Sequence, residues 1–69
     1  MAGSVYKIIE LVGTSKKSWE DAAANAVAKA SKSLRNLRVA EITKLDMTVE
    51  DGKITAYRAR ISVSFKYED

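Results

Sequence analysis

SWEDAAANAVAKASKSLRNL, residues 18–37, reads as one long amphipathic helix around which the rest of the chain has to be arranged. Ser18 is a favoured N-cap, and Asp21 three residues on is placed to reach back to the cap's N–H, an acidic form of the capping box. Glu20 and Asp21 put negative charge at the positive end of the helix dipole, and Lys32 and Arg35 put positive charge at the other end. Trp19, Ala23, Ala26, Ala30, Leu34 and Leu37 recur at spacings of three and four and form one apolar stripe. That stripe is mostly alanine, so whatever covers it must come close to the helix backbone. A helix of about 18 residues is about 27 Å long, and it needs a partner surface.

The flanking sequence supplies that surface as strands. VYKIIELV, residues 5–12, is rich in β-branched and apolar residues and reads as strand one, ended by Gly13-Thr14-Ser15. Strand two is expected over residues 38–49. Its apolar positions switch from even (Ala40, Ile42) to odd (Leu45, Met47, Val49), which implies a bulge or bend near Thr43 and Lys44. Asp51-Gly52 is a tight-turn signal into strand three, residues 53–67. There Tyr57, Ala59, Ile61, Val63 and Phe65 alternate with Arg58, Arg60, Ser62, Ser64 and Lys66, and the apolar side is the natural cover for the helix. The expectation is an α+β fold in the order β-α-β-β, one domain spanning residues 1–69. With strand three in the middle, every neighbouring pair is antiparallel and the spatial order is 1-3-2. Strand two is then a long free edge, a pairing liability unless another subunit uses it.

Length sharpens that point. At 69 residues the chain is small enough for its stability margin to be thin. With no Cys and no His, neither disulfides nor a zinc site can reinforce it, and oligomerisation is the remaining remedy. Net charge is +3, from 12 basic and 9 acidic residues, a mixed solvated surface rather than a nucleic-acid footprint, since no aromatic series accompanies the scattered cations. No apolar run is long enough for a membrane span and no signal-peptide layout opens the chain, so a soluble, cytoplasmic protein is expected.

Catalysis is poorly supplied. Without Cys or His the candidates are Ser, Thr, Lys and carboxylates, and no catalytic spacing links them; Gly13-Thr14-Ser15 lacks the pattern of a phosphate loop. Asp46, Glu50 and Asp51 cluster around the hairpin. Turn chemistry accounts for them, or they form a hard-cation site. Calcium wants six to eight oxygens, so such a site has to be shared between subunits. Trp19 reads either as a core plug at the first helical turn or as a platform for stacking a ligand.

VYKIIELVGTS (residues 5–15), the alanine-rich helix and a hairpin running to VSFKYED (residues 63–69) together resemble the dodecin family over almost the whole chain. The resemblance implies β-α-β-β subunits assembled into a hollow homododecamer, most members of which bind flavins in pairs at two-fold contacts. Flavin-binding dodecins carry a Trp near the start of strand two that stacks on the ring; that position matches Val39. A Gln in strand three that hydrogen-bonds the ring edge matches Arg58, and a Gly common later in strand two is replaced by Asp46-Met47. Val39 has no π face, and Arg58 donates hydrogen bonds but accepts none. Its charge asks for a partner, with Glu41 and Asp46 nearest by sequence. This pattern is similar to the branch called calcium dodecins. It implies a non-enzymatic binding or storage protein with calcium at subunit contacts, held by Asp46 with Glu50 and Asp51. The alternative is FMN or riboflavin at a degenerate site comprising Val39, Glu41, Asp46 and Arg58. Its partner is itself, with no nucleic acid and no membrane.

Overall fold

The computed structural model describes residues 3–66 and runs β1 (Tyr6–Ser15), α1 (Trp19–Ser33), β2 (Leu37–Glu50), β3 (Lys53–Lys66). The strands form one antiparallel sheet in the order β1-β3-β2, the topology expected. Tyr67, the expected last residue of strand three, lies outside the described residues.

The central strand carries the core because its alternation is unbroken. Ala59, Ile61 and Val63 are buried and meet Ala22 and Ala26 of the helix, with Ile9, Leu11, Ala23, Val27 and Leu37 packed around them. Asp51 and Gly52 both take positive φ, 52° and 75°, the backbone of a two-residue hairpin whose twist matches its strands. The register of β2 against β3 shifts at three places, between Leu37 and Val39, Ile42 and Lys44, and Thr48 and Val49. The middle shift is the bulge required by the change in apolar parity.

The helix is shorter than expected, with 15 residues. Leu34 is its C-cap in extended conformation, Asn36 turns the chain at φ 60°, and Leu37 is the first residue of β2, opposite Phe65. Leu34 and Leu37 mimic the helical spacing while lying beyond the helix. The buried stripe is Ala22, Ala26 and Ala30, so Ala26 and Ala30 lie where expected, while Ala22 rather than Ala23 is the fully covered residue of the first turns. Capping also differs in detail. Ser18 Oγ accepts from the Asp21 amide at 3.0 Å, while the Asp21 carboxylate accepts from Ser15 Oγ at 2.7 Å instead of reaching back to Ser18. Ser15 Oγ in turn accepts from the Lys17 amide at 2.9 Å, so one buried hydroxyl organises the β1–α1 turn.

Gly13 does not end strand one; it sits inside β1 opposite Ala59, where a Cβ would run into the Ala22 carbonyl and lie 2.9 Å from Ala26 Cβ. Helix and strand backbones are in contact here, the close approach that an alanine stripe permits. Ala26→Leu is therefore expected to destabilise by about 1–3 kcal/mol through overpacking, whereas Lys29→Glu on the exposed side should change stability by less than ~0.5 kcal/mol. Chemical denaturation of both variants checks this; equal costs would show that the stripe is not buried.

The chain is over-extended for its length. Its radius of gyration is 14.4 Å, against about 11 Å for a compact chain of this size. The helix covers β1 and β3 but leaves most of β2 uncovered, and Ile42, Leu45, Met47 and Val49 are all exposed. On the opposite face Tyr6, Ile8, Val12 and Val39 are exposed as well. Among the described residues no helix is long and apolar enough to cross a membrane.

Candidate functional site

Directly paired residues of neighbouring strands share a face, so the register sorts the side chains. On the face away from the helix, Val39 pairs with Ser64, Glu41 with Ser62, Lys44 with Arg60 and Asp46 with Arg58. The β1 residues Ile8, Glu10, Val12 and Thr14 occupy the same rows beyond β3. Val39, Glu41, Asp46 and Arg58, the expected flavin-site equivalents, thus fall on one exposed face, around a strip of small Ser62 and Ser64.

The strongest polar feature of that face is the Asp46–Arg58 pair. Arg58 Nε donates to Asp46 Oδ1 at 2.7 Å and Nη2 donates to Oδ2 at 2.8 Å, a bidentate fork. Of the two acids expected for Arg58, Asp46 is the partner; among the described residues Glu41 makes no ion pair. Those hydrogen bonds hold the Asp46 carboxyl below the ordinary aspartate value, against an opposing desolvation and with lesser help from the charges of Arg58 and Arg60. The Arg58 guanidinium is correspondingly raised. Because the folded value of Asp46 is depressed, anything the pair adds to stability is present above the ordinary aspartate value and lost as pH falls through the lower folded one. Both side chains are substantially exposed, 39% for Arg58 and 54% for Asp46, so the pair orders the face more than it stabilises the fold.

A third residue reaches this pair from the helix. Trp19 Nε1 donates to the Asp46 carbonyl at 2.9 Å, and its ring meets Tyr57 edge-on with centroids 5.1 Å apart. The half-buried indole is neither a plain core plug nor a free stacking platform; it ties the first helical turn to the backbone of β2 at Asp46. Sequence reasoning missed this link, which depends on the register of two elements distant in the chain.

The expected metal set is not assembled within one chain. Glu50 and Asp51 lie four and five residues beyond Asp46 toward the hairpin tip, roughly 13 Å or more at the rise of an antiparallel strand. No group of three or more acidic, His or Cys side chains converges among the described residues. Carboxylate and carbonyl oxygens are the donors calcium prefers, but a single subunit does not gather a shell of them, and both oxygens of Asp46 already face a guanidinium.

An antiparallel sheet covered by one helix on one side and bare on the other, with a bidentate ion pair on the bare face, defines a small open-faced β-α-β-β protein. The chain belongs to the dodecin family, whose model it matches over residues 5–68. The calcium dodecin of Mycobacterium tuberculosis is 53% identical over 64 residues, covering 91% of this chain and 89% of the relative. The dodecin of Thermus thermophilus is 37% identical over 67 residues, 97% of each chain. Among solved structures, the dodecin of Streptomyces coelicolor superposes with a TM-score of 0.93 at 33% identity, covering 100% of this chain and 99% of its own. The M. tuberculosis calcium dodecin, described as a calcium-chelating antigen with a novel calcium-binding site, superposes at 0.84 with 50% identity, covering 94% and 93%.

Proposed function

We propose that the chain is a non-enzymatic binding or storage subunit that assembles into a homododecamer and takes up calcium where Asp46 carboxylates of neighbouring copies meet. The observation that carries this reading is the position of Asp46. It is an exposed carboxylate on the bare face of the sheet, a face that also leaves Ile8, Val12 and Val39 in water, in a chain closely similar to a calcium dodecin. One subunit supplies too few oxygens, so the shell has to be pooled across contacts, with Glu50 or Asp51 of the overhanging hairpin as further donors. A bound cation would supply the positive charge that lets like-charged carboxylates approach; this chain supplies the carboxylates, their placement by the β2–β3 register and the indole bond that pins Asp46.

Light scattering during size exclusion, together with calorimetric titration of calcium into the wild type and Asp46→Asn, tests the proposal. A particle of dodecameric mass is expected, with calcium uptake that Asp46→Asn removes. A stable monomer at micromolar concentration, or uptake unchanged in Asp46→Asn, would overturn it. Riboflavin or FMN is the second reading, favoured by the gathering of Val39, Glu41, Asp46 and Arg58 on one face beside small serines.

A further inference from the structure

We infer that Arg58 is a resident counter-cation at Asp46, and that it sets how tightly this carboxylate takes a divalent cation. The inference rests on the calcium reading for its ligand but on this chain's own geometry for its content. The guanidinium holds both carboxylate oxygens at 2.7 and 2.8 Å. The two residues are directly opposed across β2 and β3, and Trp19 Nε1 holds the Asp46 carbonyl at 2.9 Å, so the backbone from which the carboxylate springs is fixed opposite its partner. A cation arriving at Asp46 either uses the lone pairs that the fork leaves free or displaces the fork. In both cases it meets the positive charge of Arg58, with that of Arg60 one row along. The exposure of both side chains makes the pair exchangeable rather than sealed. The outcome is competition, not exclusion: the arginine lowers affinity for a cation while keeping the carboxylate aimed when none is bound.

Calcium is titrated calorimetrically into the wild type, Arg58→Gln, Arg58→Lys and the double variant Arg58→Gln with Asp46→Asn. The indole N–H resonance of the single Trp, Trp19, is followed in parallel as a reporter at the Asp46 carbonyl. Arg58→Gln is expected to bind calcium about tenfold more tightly, the factor Coulomb's law gives for removing a single positive charge ~6 Å from a double one in water. Arg58→Lys keeps the charge without the fork and should fall between it and the wild type, and the double variant should lose the gain. The Trp19 resonance should shift at correspondingly lower calcium in Arg58→Gln. If the wild type binds through Asp46 and Arg58→Gln binds no tighter, this inference is wrong while the calcium reading stands. Binding by Arg58→Gln but not by the wild type supports the inference and removes the calcium reading for the unaltered chain. No binding by any of the proteins overturns both.

Discussion

Gly13→Ala is expected to remove most of the folding stability of the chain. The added methyl would run into the Ala22 carbonyl, lie 2.9 Å from Ala26 Cβ and approach the Ala22 carbonyl carbon at 3.0 Å. Two of these three neighbours are helix backbone, so no rotamer change relieves the clash; the helix has to move off the sheet. Overpacking a well-packed core costs about 1–3 kcal/mol and occasionally more, and the rigid neighbour puts this case at the upper end. A domain of this size has a core that supplies only about 3–5 kcal/mol. The loss therefore takes most of the margin, and assembly should fail with it. Circular dichroism on heating measures the effect. Gly52→Ala is the control: its φ of 75° strains a side chain, but nothing lies within 4 Å of the added carbon. That variant should lose only about 1–2 kcal/mol, the cost of left-handed backbone for a residue with a Cβ. If Gly13→Ala melts within a few degrees of the parent protein, the contact between β1 and α1 is looser than described.

Gly13 also shows what the sequence leaves unread. A glycine after an apolar run signals a turn, and that rule placed the end of strand one three residues early. Its real reason is a neighbour nine positions away, which only the packed structure reveals. The helix boundary has the same cause: Leu37 packs against the core and Leu34 is half-buried, both from extended backbone, yet both fall on the helical spacing. What was legible rests on unbroken local signals. The alternation from Tyr57 to Phe65 named the core strand, Asp51-Gly52 named the hairpin, and the parity change in β2 located a bulge at Thr43. The site was legible only as candidates. Counting outward from the two-residue turn sets Asp46 opposite Tyr57; the further register shift near Thr48, which leaves Thr55 extra on β3, sets it opposite Arg58. One silent bulge thus decides which residue faces the carboxylate, and no residue pattern announces it.

The double variant Val39→Trp with Arg58→Gln is expected to gain flavin affinity strongly, while the wild type binds riboflavin and FMN weakly. A flavin ring is held mainly by stacking on its faces and by hydrogen bonds to its polar edge. Val39 is 61% exposed on the outer face, so it presents a surface to a ligand, but a small aliphatic one without a π face. Arg58 has its Nε and Nη2 donors committed to Asp46 and offers no acceptor for a ring N–H. The substitutions correct both faults. Tryptophan supplies a stacking face worth about 1–3 kcal/mol per contact, or roughly tenfold to a hundredfold in affinity for each ring face covered. Glutamine supplies a donor and an acceptor without charge. Space is available because the neighbouring β3 positions are Ser64 and Ser62, short side chains beside Val39 and Glu41. Neither change touches the buried set Ala22, Ala26, Ala59, Ile61 and Val63, so folding is expected to survive. Fluorescence quenching of riboflavin and FMN during titration reads the result, with Val39→Trp and Arg58→Gln measured singly to separate stacking from edge recognition. Stacking should dominate, so Val39→Trp alone should deliver most of the gain. Tight flavin binding by the wild type would show that a valine and an ion-paired arginine suffice, and would place the flavin reading above the calcium one.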